Sequence, residues 1–256
     1  MGGRRTCAAG GHGVASGWAV ELLLGCIVTA GASVQFLTGM GFALVAVPAL
    51  VLVLGPGDGV GLANCASGAI CLAGLAGGWR QVRLGAMLPL ICAAACTVPA
   101  GTWVASRLPA PVLLSCMGGL VTVLVLFLIS GGRVEALRGV PGALTAGAAG
   151  GFMNSSAGVG GPPISMYAVN AGWTVREFVP NAQFYGITVN AFSITAKGLP
   201  QVGGVLWELS AVGLAVGGVI GKILAARVPE SGARRLVLLL ALTGGVTTLA
   251  KGLWGL

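Results

Sequence analysis

Charged side chains are scarce in this 256-residue chain, where Asp, Glu, Lys and Arg together make up 8% of the residues. About a quarter of the residues in a soluble domain are charged, so this composition excludes a soluble domain. Hydrophobic residues make up 56%, and the uncharged runs 86–106 and 111–130 are long enough to cross ~30 Å of hydrocarbon as helices. These runs lack the alternation of polar and apolar residues that is typical of the strands of an outer-membrane β-barrel. The sequence predicts an all-α, multi-pass integral membrane protein of the cell membrane.

Acidic residues and histidine are also few, with six Asp and Glu and one His in the whole chain. An intramembrane enzyme with a Cys or Ser nucleophile needs a base within reach. His12 precedes the first long apolar segment, and Glu21 and Glu208 each begin such a segment, where capping a helix end is favoured over relaying a proton. The sequence therefore predicts no catalytic residue and no cofactor, and an enzyme is the least favoured alternative.

The seven cysteines are an odd number, and six of them lie inside apolar segments. Buried thiols that act as small hydrophobic residues are favoured over disulfides or metal ligands. Cys92 and Cys96 share a helix face, but His12 alone cannot complete a ligand set. We predict no metal site.

Positive charge is dispersed along the chain rather than concentrated. The formal charge of +8 comes from 14 Lys and Arg at segment ends, which favours loops that follow the positive-inside tendency over a nucleic-acid surface. We predict that both termini lie outside, although Arg4, Arg5 and Lys251 favour the opposite orientation. The arginines predicted on the cytoplasmic side are Arg80, Arg83, Arg133, Arg138, Arg176, Arg227, Arg234 and Arg235. Arg107 and Lys197 are predicted on the opposite side.

Two pairs of similar stretches indicate an internal duplication. "GTWVASRLP" at 101–109 matches "GKILAARVP" at 221–229, and "TGMGF" at 38–42 matches "AGVGG" at 157–161, at offsets of 120 and 119. Each half holds about five apolar segments, and an odd number inverts the second half relative to the first. We predict a flexible tail at 1–14, a first transmembrane repeat at 15–130, a central loop at 131–139 and a second repeat at 140–256.

The stretch "AGVGGPP" at 157–163 places helix-breaking residues inside an apolar region. Two prolines lack donors and three glycines permit positive φ, so one continuous helix cannot form there. Non-helical backbone at membrane depth survives only beside protein or a water-filled cavity. Most of the 46 glycines serve close helix packing, but here a broken, re-entrant helix in each repeat is favoured.

A helix that begins after such a break directs its free N–H groups and positive dipole end into the gap, where they bind an anion. On the segment 179–197, polar residues recur every seven positions and face the same way. Lys197 at its end is favoured to reach the interface rather than bind substrate. The predicted substrate-binding residues are Gln35, Thr38, Gly39, Gly41, Asn64, Asn154, Ser155, Ser156, Gly158, Gly160, Gly161, Pro162, Gln183 and Asn190.

At these residues the sequence resembles the sulfite exporter TauE/SafE family, also called the TSUP family of anion permeases. The match is close at residues 158–162, "GVGGP", and looser at 39–42, "GMGF". In the first half Phe42 and Ala43 stand where the family signature continues with glycines. The resemblance implies transport of sulfite, a sulfonate, sulfoacetate or another small anion, driven by an ion gradient.

The expected function is thus a secondary transporter for a small anion, working by alternating access. A passive anion channel is the main alternative. The expected partners are the anionic substrate and membrane lipid, with no nucleic acid, and several helix faces of small residues permit a homodimer.

Overall fold

The computed structural model describes residues 12–39, 41–130, 138–225, 227 and 230–256. Most of the predicted tail and most of the predicted central loop lie outside these ranges. Within them the chain forms nine α-helices and a short 3-10 helix, Trp79–Gln81. The α-helices are α1 His12–Thr38, α2 Phe42–Leu75, α3 Leu84–Arg107, α4 Ala110–Ile129, α5 Gly139–Ala157, α6 Gly161–Asn170, α7 Val175–Lys197, α8 Gly204–Ala225 and α9 Glu230–Trp254.

Six of the helices are long and apolar enough to cross a membrane: α1, α2, α3, α4, α8 and α9. Their outer faces expose large apolar side chains such as Leu88, Val123 and Val212. A surface of this kind is stable against lipid hydrocarbon rather than water. The predicted all-helical, multi-pass membrane architecture is confirmed.

Helix α2 is two antiparallel arms rather than one rod. Gly55 has a φ of 82° and interrupts the helical backbone, and a Cβ at Gly59 would lie only 2.7 Å from the Cα of Val51. In a straight helix, eight residues span about 12 Å along the axis. The chain therefore reverses at Gly55, and Pro56 begins the second arm, where its missing N–H costs nothing.

The most extensive contacts between helices join α1 with α8, α3 with α5, α4 with α9, and α2 with α7. Glycines allow the backbones to approach closely in these pairs. A Cβ at Gly217 of α8 would lie 2.4 Å from the Thr29 carbonyl oxygen of α1, and one at Gly147 of α5 would lie 2.2 Å from the Leu90 oxygen of α3. A side chain at either position would force the two helices apart.

Two buried apolar clusters hold the helices together. The first joins α1, α2, α4 and α9 through residues such as Val28, Phe42 and Val121. The second packs α3, α5, α6 and α7 together around Leu90 and Ile164. The breaks between α1 and α2 and between α5 and α6 are therefore held inside the protein, which non-helical backbone at membrane depth requires.

Candidate functional site

The chain breaks between α5 and α6 where the glycines and prolines predicted it. Helix α5 ends at Ala157, and Gly158 adopts the left-handed conformation with a φ of 72°. Its N–H donates to the Asn154 carbonyl oxygen at 2.9 Å, and the N–H of Val159 donates to the Met153 oxygen at 3.3 Å. These bonds close the end of α5 as in other glycine-terminated helices, so the chain is free to start α6 in a new direction.

A similar break separates α1 from α2. Gly39 has a φ of 76°, and its N–H donates to the Gln35 carbonyl oxygen at 2.8 Å. The side-chain oxygen Oε1 of Gln35 then accepts from the N–H groups of Gly41 at 2.8 Å and Phe42 at 3.0 Å. Gln35 thus caps the start of α2 and satisfies two of its unpaired donors.

The start of α6 is open by comparison. No side chain caps it, and the N–H groups of Gly160 and Gly161 have no hydrogen-bond acceptor among the described residues. Pro162 and Pro163 occupy the first turn and carry no N–H. The two glycine donors therefore remain for a ligand, at the positive end of the helix dipole.

A chain of amide and hydroxyl groups connects the broken helices to α7 and α2. Asn154 Nδ2 donates to Asn190 Oδ1 at 3.1 Å and to Ser193 Oγ at 3.0 Å. Asn190 Nδ2 donates in turn to Ser67 Oγ at 3.2 Å. All four side chains are neutral, so they bind one another without the desolvation cost of buried charge.

A second polar group lies at the other break. Gln35 Nε2 donates to Gln183 Oε1 at 3.5 Å, and Gln183 Nε2 donates to the Gly39 carbonyl oxygen at 3.3 Å. Gln35 Nε2 also lies 3.8 Å from Cys71 Sγ. Gln183 therefore ties α7 to the turn after α1.

The two breaks face a cavity of about 520 Å³, a size typical of small-molecule sites. Its polar wall consists of side chains from α1, α2, α5, α6 and α7 together with the backbone at Gly160 and Gly161, and its apolar wall includes Leu44, Phe178 and Leu238. No charged side chain lines it among the residues that the structure describes. The polar side chains of the wall include Gln35, Ser67, Cys71, Asn154, Ser165, Asn170, Tyr185 and Asn190.

Most of the predicted site residues meet at this cavity. Gln35, Gly39, Gly41, Asn154, Gly160, Gly161, Pro162 and Asn190 all line it. The side chain of Thr38 lies outside the described part of the chain.

The other predicted residues do not line the cavity. Ser155 Oγ and Ser156 Oγ donate to carbonyl oxygens of their own helix, at 3.0 and 2.7 Å. Gly158 faces the arms of α2, because a Cβ there would lie 3.1 Å from Val47. Gln183 lies behind Gln35, to which it is hydrogen-bonded, and Asn64 is buried on α2 with 1% of its surface exposed.

The sequence prediction missed Cys71 as a wall residue. A thiol in an apolar segment is typical of core packing, so composition gave no signal. The spacing of Cys71 does give a signal, since Cys71 follows Ser67 by four residues and shares a helix face with it. Tyr185 is also on the wall, where its hydroxyl donates to the Gly147 carbonyl oxygen at 3.2 Å.

Comparison with known proteins gives one informative match. The family model for the sulfite exporter TauE/SafE family matches residues 23–248, which is most of the chain. No curated protein matches significantly, and no solved structure does either. The matched range includes both helix breaks and every described residue of the cavity wall. The chain therefore belongs to the sulfite exporter TauE/SafE family, a family of membrane transporters rather than enzymes.

Proposed function

We propose that this transporter carries a small sulfur-containing or organic anion, such as sulfite or a short sulfonate, by ion-coupled alternating access. The observation that carries the proposal is the cavity at the two helix breaks, whose wall offers hydrogen-bond donors without fixed charge. The name of the family, sulfite exporter, supports sulfur oxyanions as the substrate class.

Neutral donors suit the release of an anion as well as its binding. The Gly160 and Gly161 N–H groups lie at the start of α6, and the amide of Asn154 lies close to them. Such donors and the positive end of the helix dipole stabilise an anion. A buried Arg or Lys would hold the same anion far more strongly and would slow its release.

We also propose that the chain is an inverted duplication with a pseudo-two-fold axis through the cavity. Gln35 and Asn154, which both line the cavity, are 119 residues apart, as are the positive-φ glycines Gly39 and Gly158. When the two halves are exchanged, α1 takes the place of α5, and α8 takes the place of α3. The α1–α8 pair then becomes the α5–α3 pair, while the α4–α9 and α2–α7 pairs are each mapped onto themselves. This pattern is the one expected for two repeats related by a two-fold axis, and the odd number of segments in each half is the reason for proposing that they are inverted.

The cavity in this state extends towards the exposed end of the α6–α7 hairpin, where Val169 and Val175 form part of its wall. At the opposite end, Gly61 packs against Pro200, with a Cβ-to-Cβ distance of 3.1 Å for a side chain built at Gly61. The N–H of Gln201 also donates to Asp58 Oδ1 at 2.8 Å. A site open at one end and closed at the other supports alternating access.

Uptake into proteoliposomes tests the proposal. Labelled sulfite, thiosulfate and a short sulfonate are each offered to the purified protein, with and without an imposed pH gradient, and empty liposomes are the control. We expect saturable uptake of at least one anion that increases with the gradient. No uptake of any of the three by folded protein would refute the proposal, and uptake without saturation would favour a passive channel.

A further inference from the structure

Asn64 has two buried polar side-chain atoms without a hydrogen-bond partner in the described part of the chain. Only 1% of it is exposed, and neither its Nδ2 nor its Oδ1 has a hydrogen-bond partner among the described residues. An unpaired buried donor or acceptor carries the full desolvation penalty of its group. Polar residues at membrane depth usually face a bundle interior or a substrate path. A leucine would fill the same space without that cost.

The position of Asn64 extends the polar wall of the cavity. Ser67 and Cys71 line the cavity from the second arm of α2, and Asn64 precedes them by three and seven residues on the same arm. Such spacing puts all three on one helix face. Asn64 therefore lies about one turn beyond the cavity, on the side of Ser67 that is nearer to Gly55.

A hydrogen bond separates Asn64 from the cavity. Asn190 Nδ2 donates to Ser67 Oγ at 3.2 Å and bridges α7 and α2 at this level. On the far side of Asn64, three residues earlier on the same arm, Gly61 packs against Pro200. Asn64 thus lies between the cavity and the closed end of the protein.

We propose that Asn64 binds the transported oxyanion at a second subsite, between the cavity and the loop that contains Pro200, and that the Asn190–Ser67 bond is the gate to it. The inference rests on the proposed transport function and adds a site to it. A ligand that satisfies both amide atoms carries an acceptor for Nδ2 and a donor for Oδ1. A partly protonated oxyanion such as hydrogen sulfite has both.

Ser210 provides a matched control. It is also buried, and its Oγ has no hydrogen-bond partner among the described residues, but it lies on α8 and does not line the cavity. If an unpaired buried polar atom were only a packing defect, N64L and S210A would affect transport alike. The subsite predicts that only N64L affects it.

The experiment compares sulfite flux in proteoliposomes for the wild type, N64L, N64S and S210A, together with the rise in melting temperature that sulfite causes in each purified protein. N64L is expected to lose at least about tenfold in flux, the effect of one lost hydrogen bond to a charged ligand. N64L should keep a melting temperature at or above that of the wild type and should keep the sulfite-induced rise, because the cavity still binds. N64S should lose less flux, and S210A should match the wild type.

Each other outcome overturns the subsite. Equal flux through N64L and the wild type would show that the anion does not use Asn64. If N64L does not fold, wild-type flux through N64S leads to the same conclusion. Loss of both flux and the sulfite-induced rise would mean that Asn64 acts on the cavity itself. Absence of flux through the wild type would instead refute the transport function, and the subsite with it.

Discussion

Side-chain amides perform several tasks in this protein that charged groups perform elsewhere. Gln35 accepts from two backbone N–H groups at the start of α2, and Asn154 donates to two partners on α7. An amide carries both donors and an acceptor and has a smaller desolvation penalty than an ion. The chain can therefore build a polar interior at membrane depth without buried charge.

A single substitution at Gly160 tests whether the start of α6 lies on the substrate path. A Cβ at this position would lie 2.8 Å from the Gly150 carbonyl oxygen and 2.8 Å from the Asn154 Cβ. In G160V the helices α5 and α6 must separate, and such overpacking costs about 1–3 kcal/mol. We expect flux to fall at least about tenfold while the protein stays in the membrane, as measured by uptake assay and melting curve.

G85V is the matched control for G160V. Gly85 lies in the first turn of α3, and a Cβ there meets no atom within 4 Å. This variant should transport and melt like the wild type. Full activity in G160V would remove the start of α6 from the substrate path.

At the scale of a helix, the start of α7 is fixed by a capping box and an ion pair. The hydroxyl of Thr174 accepts from the Glu177 N–H, and the Glu177 carboxylate accepts from the Thr174 N–H at 2.9 Å. Arg83, which immediately precedes α3, forms an ion pair with Glu177. This exposed contact joins α3 to α7 at the membrane surface.

The pKa of Glu177 is held below its ordinary value, first by the Thr174 N–H, then by the Thr174 hydroxyl and by Arg83. A carboxyl with a lowered pKa stabilises the fold above its unfolded pKa of about 4.5, and this stabilisation is lost as pH falls through the folded pKa. We expect the melting temperature of the wild type to fall more than that of E177Q below about pH 4.5. A pH profile of E177Q identical to that of the wild type would contradict the capping role.

The sequence was sufficient to predict the helix break at 158–160, because consecutive glycines and prolines exclude a helix whatever surrounds them. Eight of the predicted site residues also meet at one cavity. The sequence did not predict that Ser155 would donate within its own helix or that Gln35 would cap α2. Both depend on side-chain rotamers and on neighbouring helices, which local spacing does not encode.

At the scale of the whole molecule, several basic residues lie at the ends of α3 and α7 at which the sequence predicts them. The Arg83–Glu177 pair puts Arg80, Arg83 and Arg176 at one end of the bundle, and Arg107 and Lys197 lie at the opposite ends of the same two helices. Under the positive-inside tendency, we propose that the first end faces the cytoplasm. The cavity, which extends towards the same end, would then be open inward in this state.

The measurement that tests alternating access most directly is counterflow of sulfite. Proteoliposomes are loaded with concentrated unlabelled sulfite and diluted into a trace of labelled sulfite. A carrier that exposes one site to each side in turn must exchange label for unlabelled anion, so label should rise transiently above its external concentration inside the vesicles and then decline. Label that only approaches the external concentration, without an overshoot, would contradict the carrier and leave a passive pore.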